Sequence, residues 1–244
     1  MSKEEQHSYE IKYNLITMNI VGIIYLLVIV GILYLMFTNN ILTSRFPKSY
    51  EFTKYPISIF IVVMLFWFVL HEILHGVFYV IGGAKKENIS YGCALEKGIF
   101  FCKCNNNITK KNAMLSLMAP FTIIGVITLI ISFLIGDYAL LILSVFNLNG
   151  ACADLCVFYF FSKLPNDVLF REVGDTSTFV LTTKEDLTKN KYLGIKSIRL
   201  LKEGELPPEK VKKRINITKG SKPILIIFII LIIIYIIFDI VSRI

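Results

Sequence analysis

The chain has 244 residues, 55% of them hydrophobic and 18% charged, with 26 Lys and Arg against 18 Asp and Glu. A soluble domain carries about 25% charged residues, and the apolar residues here gather in long, nearly uncharged stretches. That excludes a soluble globular protein, a disordered chain and a small disulfide-stapled module, and leaves an all-α polytopic membrane protein of about five transmembrane helices with a small cytoplasmic β-hairpin insertion.

In chain order, the first span is expected over Leu15–Phe37, because no charge occurs between Lys12 and Arg45. It has no small-residue cleavage site and does not read as a removable signal peptide. The second covers Pro56–Ile81 and is interrupted by HEILH. The third is Ala113–Ile135, with Pro120 inside it. The fourth is Tyr138–Phe161, interrupted by Asp154, and the fifth is about Pro223–Ile240. Each is near the twenty residues that cross about 30 Å of hydrocarbon. Between spans three and four lies only Gly136-Asp137, so these two helices are expected as antiparallel neighbours. The domain division expected is 1–55, the N-terminal span and external loop; 56–162, a three-span catalytic core with insertion 82–112; 163–222, a cytoplasmic segment; and 223–244, the C-terminal span.

The loops add detail. Residues 89–104 read ISYGCALEKGIFFCKC, two apolar runs around a glycine-bearing polar turn, which suggests a hairpin. Residues 176–183 (TSTFVLTT) form a further strand candidate, and 184–219 read as polar and mixed. Cys93, Cys102 and Cys104 share a loop assigned to a reducing compartment, where disulfides are disfavoured. Cys152 and Cys156 read as packing residues beside Asp154.

The net charge of +8 lies mostly in the loops. It is read as positive-inside topology and attraction to anionic lipid at the cytoplasmic surface, and no nucleic-acid-binding motif accompanies it. Loop 38–55 holds three Lys or Arg, loop 82–112 six, and segment 162–222 fourteen. The chain is therefore expected as a multi-pass cell-membrane protein with its N-terminus cytoplasmic and its C-terminus external.

The chemical signal is His71-Glu72-Ile73-Leu74-His75. On a helix, residues i and i+4 share a face, so both imidazoles point at one centre. Glu72 beside them is placed to take a proton from water, the arrangement of an H-E-x-x-H zinc site. The bland alternative is interhelical hydrogen bonds for the histidines and a loop lysine for Glu72. A zinc site needs a third protein ligand and an open position. His7, in the polar tail, is a poor candidate; Asp154 is the acid inside span four. Counted from the outer ends of their spans, His71 and Asp154 lie roughly 22 and 26 Å deep at 1.5 Å per residue, in the cytoplasmic half of the bilayer. Asp154 is therefore assigned as the third ligand. Gly150 and Ala151 precede it on one face and invite close approach by a helix or a substrate backbone. Asn147 on that face offers a donor and an acceptor; it could hold an extended peptide, stabilise an oxyanion, or make an interhelical hydrogen bond.

The HEILH sequence in a span with Gly76 after it, the β-like insertion, Ala119-Pro120 in the next span and Asn147-x-x-Gly150-x-x-x-Asp154 in the following one resemble a family of bacterial membrane zincin peptidases related to the site-2 proteases, which are intramembrane metalloproteases. The resemblance covers about residues 56–183. It implies that His71, His75 and Asp154 bind zinc, that Glu72 is the catalytic base, and that the substrate is contacted through the Asn147 region. The chain departs from the better-known site-2 pattern: it reads NLNGACAD followed by Leu155, without that pattern's proline and without a glycine after the aspartate. The function expected is hydrolysis of a peptide bond in a membrane protein or membrane-associated peptide near the cytoplasmic side. The alternative is a non-proteolytic regulatory or immunity protein that retains the metal scaffold.

The charge distribution is checked with reporter fusions. Fusions at Lys86 and Lys196 are expected to report cytoplasm and one at Lys48 the outside; a cytoplasmic signal at Lys48 reverses the orientation.

Overall fold

Polar side chains open α-helices at three points of the described chain. In the computed structural model, which describes residues 6–46, 57–94, 99–173, 178–189, 192–202 and 205, Asn14 accepts from the Thr17 N–H and opens α1 (Leu15–Thr38). None of the 24 residues of α1 is fully buried: a half-buried stripe that includes Met18, Leu33 and Met36 packs on the rest of the chain, and the remaining apolar surface faces outward. A short α2 (Ile41–Arg45) follows, then α3 (Ile57–Ile81). The hairpin comes next, β2 (Ile89–Ala94) and β3 (Ile99–Cys104), and then the two-residue β4 (Ile108–Thr109). Thr109 caps α4 (Lys110–Pro120), which runs through a π-helical stretch, Phe121–Ile127, into α5 (Thr128–Ile135). Asp137 accepts from the Leu140 N–H, 2.8 Å away, to open α6 (Tyr138–Gly150). A 44° bend at Ala151 separates α6 from α7 (Cys152–Ser162). The chain ends its described course in β5 (Leu169–Glu172), β6 (Thr178–Thr183) and β7 (Ile195–Leu200).

Among the described residues three helices are long and apolar enough to cross a membrane, Leu15–Thr38, Ile61–Ile81 and Lys110–Ile135, and α6 with α7 makes a fourth if the bent pair is one span. The lengths are compatible with a membrane protein. The fifth expected span, 223–240, lies outside the described residues.

The all-α expectation is corrected. Besides the two-stranded β2–β3 hairpin, the chain builds a five-stranded antiparallel sheet in the order β4-β5-β6-β1-β7. Its interior strand β1 (His7–Tyr13) comes from the N-terminal tail and pairs with β6 on one side, His7 opposite Thr183, and with β7 on the other, Tyr9 opposite Leu200. The tail reads as polar because of Glu10 and Lys12. Glu10 is only 4% exposed, however, and its carboxylate is held by Arg199 Nε at 2.8 Å and Lys12 Nζ at 3.4 Å. Paired in this way, a charged residue can sit in a strand interior, as an unpaired one cannot.

The sheet closes one end of the helical bundle. Tyr9, Ile11, Phe170, Phe179 and Leu181 from the sheet form one core with Tyr79 of α3, Ala113 of α4 and Val157, Phe160 and Phe161 of α7. Phe161 packs on Phe170 and Phe179 with ring centroids 5.3 and 6.1 Å apart. Cys102 and Cys104 of β3 enter the same core, and burial pushes both thiols above the ordinary cysteine range. At the opposite end Phe46 packs on Tyr138 and Phe133. The site is thus held between helices whose ends are clamped by β-structure at one side only.

Ile11, fully buried in β1, tests the sheet. Ile11→Ala is expected to cost about 2–5 kcal/mol as a large-to-small core change, read as a lower unfolding midpoint and faster proteolysis within 178–200. A disordered tail would leave both unchanged.

Candidate metal centre

His71 and His75 lie one turn apart on α3 and are buried, 8% and 6% exposed. Each ring has its two nitrogens engaged differently. His75 Nδ1 is 2.9 Å from the Ser116 carbonyl of α4, which can only accept, so Nδ1 carries the proton and donates. His71 Nδ1 is 2.9 Å from Asn147 Oδ1 of α6. Asn147 Nδ2 donates to the Pro120 carbonyl at 3.0 Å, which fixes the amide orientation and makes Oδ1 the acceptor; His71 Nδ1 is therefore also the donor. Both Nε2 atoms are left with lone pairs turned inward.

Those lone pairs meet Asp154. The two Nε2 atoms are 3.2 Å apart, and Asp154 Oδ2 is 3.1 Å from His71 Nε2 and 3.5 Å from His75 Nε2. All three ligand atoms lie within 4.8 Å of one another. Ligands on a tetrahedral zinc at 2.0–2.1 Å are about 3.3 Å apart. Two imidazole nitrogens and a carboxylate facing one point can hold a cation between them, so the donor set fits zinc by spacing and by chemistry. Asp154 reaches this point because the bend at Ala151 makes it the third residue of a new helix, and the positive end of the α7 dipole favours a carboxylate there.

Glu72 stands outside this trio. Its carboxylate lines a cavity of about 210 Å³ together with His75, Asp154, Phe100, Lys103 and Glu172. The backbone of Cys102 in β3 lies against it, and Lys103 of the same strand lines the cavity with it. The hairpin can lie so close because Gly76 follows His75: a Cβ there would land on the Tyr91 hydroxyl and ring.

Asn147 is 3% exposed, and both ends of its amide are engaged, by His71 and by Pro120. Of the roles open to it in sequence, the structure places it in an interhelical hydrogen bond behind the metal face, away from the cavity wall. A Cβ on Gly150 would meet nothing within 4 Å, so no close approach occurs at that residue. His7 lies in the sheet, opposite Thr183.

Two contributions have no obvious sequence signal. The Ser116 carbonyl is backbone. Glu172 is one acid among several in a mixed polar segment, yet it lines the same cavity as Glu72, and its Oε2 accepts the Cys104 N–H at 2.8 Å. Burial pushes its carboxyl up to about 7, against the opposing pull of that N–H and of Lys103.

Residues 64–169 match the model of a protein family described as "Putative zincin peptidase". The match runs from within α3, through the hairpin and α4–α7, to the first residue of β5, and so contains His71, Glu72, His75, Asn147 and Asp154. It supports the zinc-peptidase class; the site-2 protease relationship rests on the sequence motifs alone. No curated protein and no solved structure matches the chain.

The trio is tested by elemental analysis. Purified protein is expected to hold one zinc per chain, and His71→Ala, His75→Ala or Asp154→Ala each to abolish or greatly weaken it. Full zinc in Asp154→Ala removes Asp154 from the ligand set.

Proposed function

We propose that the chain is a zinc metallopeptidase that hydrolyses a peptide bond of a membrane protein or hydrophobic membrane-associated peptide near the cytoplasmic side. The observation that carries this reading is the inward convergence of His71 Nε2, His75 Nε2 and Asp154 Oδ2 at zinc-ligand spacing, beside a cavity lined by the Glu72 carboxylate.

Zinc held by these three residues supplies Lewis acidity that polarises the scissile carbonyl and acidifies water. Glu72 is the general base: it takes the proton from the attacking water and delivers it to the departing amine. Asn147 and the Ser116 carbonyl keep the imidazoles turned so that Nε2 faces the centre. The cavity admits water, and one of its walls is β3. The pairing of Asn105 N–H with the Asn88 carbonyl sets a register in which the Cys102 and Cys104 N–H groups face away from β2. The Cys104 N–H on that outward edge is held by Glu172, which fixes β3 as a wall of the cavity. We place the sheet and hairpin on the cytoplasmic side, because segments 82–112 and 162–222 carry six and fourteen Lys or Arg.

Glu72→Gln keeps shape and hydrogen bonding while removing the basic carboxylate. It is expected to retain zinc and to lose about 10²–10⁴-fold in cleavage rate. Comparing the membrane proteomes of cells carrying each form, a substrate should accumulate uncleaved in the variant, with its cut site near the cytoplasmic end of a span. Cleavage at the unaltered rate by purified Glu72→Gln rejects the mechanism. If no protein or peptide differs between the strains while zinc stays bound, the chain is a metal scaffold with a regulatory or immunity role.

A further inference from the structure

We propose that Pro120 is a positioning residue for the metal centre: it leaves one helix carbonyl unclaimed for His75 and presents a second to the amide that holds His71. The inference rests on the zinc reading above.

In a regular α-helix the N–H of residue 120 bonds to the carbonyl of residue 116. Proline has no N–H, and its ring pushes that carbonyl aside. Proline is also among the worst residues for a helix interior, so its place inside α4 calls for a local reason. The structure supplies one. The carbonyl released is that of Ser116, fully buried, and it accepts His75 Nδ1 at 2.9 Å. The Ser116 hydroxyl donates back to the His75 carbonyl, also at 2.9 Å, so α3 and α4 are tied twice at the ligand.

Past Pro120 the chain is π-helical over Phe121–Ile127, out of the α-helical register. The Pro120 carbonyl accepts Asn147 Nδ2 at 3.0 Å, and that bond turns Asn147 Oδ1 toward His71. Gly125, within the π-helical stretch, keeps the approach open: a Cβ there would stand 3.2 Å from Asn147 Nδ2 and 2.7 Å from Leu148 Cδ2. Both zinc-facing imidazoles are thereby oriented through carbonyls at or one turn before a single proline.

The test uses the full chain in detergent, comparing Pro120→Ala and Pro120→Gly with the unsubstituted protein. Zinc affinity is read by competition with a chromophoric chelator, ligand geometry by the visible spectrum of the cobalt-loaded protein, and stability by thermal unfolding of the metal-free form. Both substitutions return an N–H that competes for the Ser116 carbonyl. The expected result is zinc affinity lower by about 10–100-fold, the range for losing a partner of a metal-bound histidine. The cobalt spectrum is expected to change and the metal-free unfolding midpoint to be unchanged or raised. Affinity and spectrum like those of the unsubstituted protein overturn the inference. So does a fall in the metal-free midpoint of both variants, which assigns the proline to helix shape. If the unsubstituted protein binds no zinc, the metal reading itself fails, an outcome separate from zinc binding that is indifferent to residue 120.

Discussion

Two imidazoles and a carboxylate placed among apolar helices must each find partners, because an unpaired polar group in such surroundings is costly. Here the histidines meet that demand in halves. One nitrogen of each ring is satisfied by α4 or α6, through the Ser116 carbonyl and the Asn147 amide, and the other is left facing Asp154. The departures from regular helix gather round this requirement. Pro120 and the π-helical stretch interrupt the span between α4 and α5, and the bend at Ala151 interrupts the next. Each interruption delivers a carbonyl, an amide partner or a carboxylate to the same point.

The β-structure completes what the helices cannot. Helices alone leave the Glu72 side of the centre open; β3 and β5 wall it with backbone N–H groups and the Glu172 carboxylate. The strands are anchored by aromatic packing on the end of α7, which is also the helix that carries Asp154. Sheet and metal face are therefore joined through one short rigid element about three turns long.

The centre was legible in sequence because its chemistry is local or countable. HEILH places two histidines by helical period, and Asp154 follows from counting residues along two spans expected to run in the same direction. The hairpin 89–104 and the strand at 176–183 also showed, since apolar runs around a turn form a short-range pattern. The rest of the sheet did not. β1 contains Glu10 and Lys12, and β7 reads IKSIRL within a polar tract; neither is recognisable until pairing across the whole chain buries Tyr9 and Ile11 and neutralises Glu10. Asn147 was visible as a residue but not as a partner of His71, because that depends on the rotation of α6 against α3. The Ser116 carbonyl is invisible in a list of side chains, and Pro120 could be noted inside its span without showing which carbonyl it frees.

The strand order has a consequence for how the protein is made. β1 leaves the ribosome well before its partners, which lie far along the chain: Ser8 bonds to Thr182 across 174 positions. At about 5–20 residues per second, roughly ten to thirty-five seconds separate their emergence. During that interval the helices carrying His71, His75 and Asp154 can insert and assemble, while β6 and β7 have not yet arrived to complete the sheet. Thr178 and Phe179 at the start of β6 help line the cavity, so its wall is complete only after β6 has emerged. Until then the metal-binding side chains stand beside an incomplete cleft.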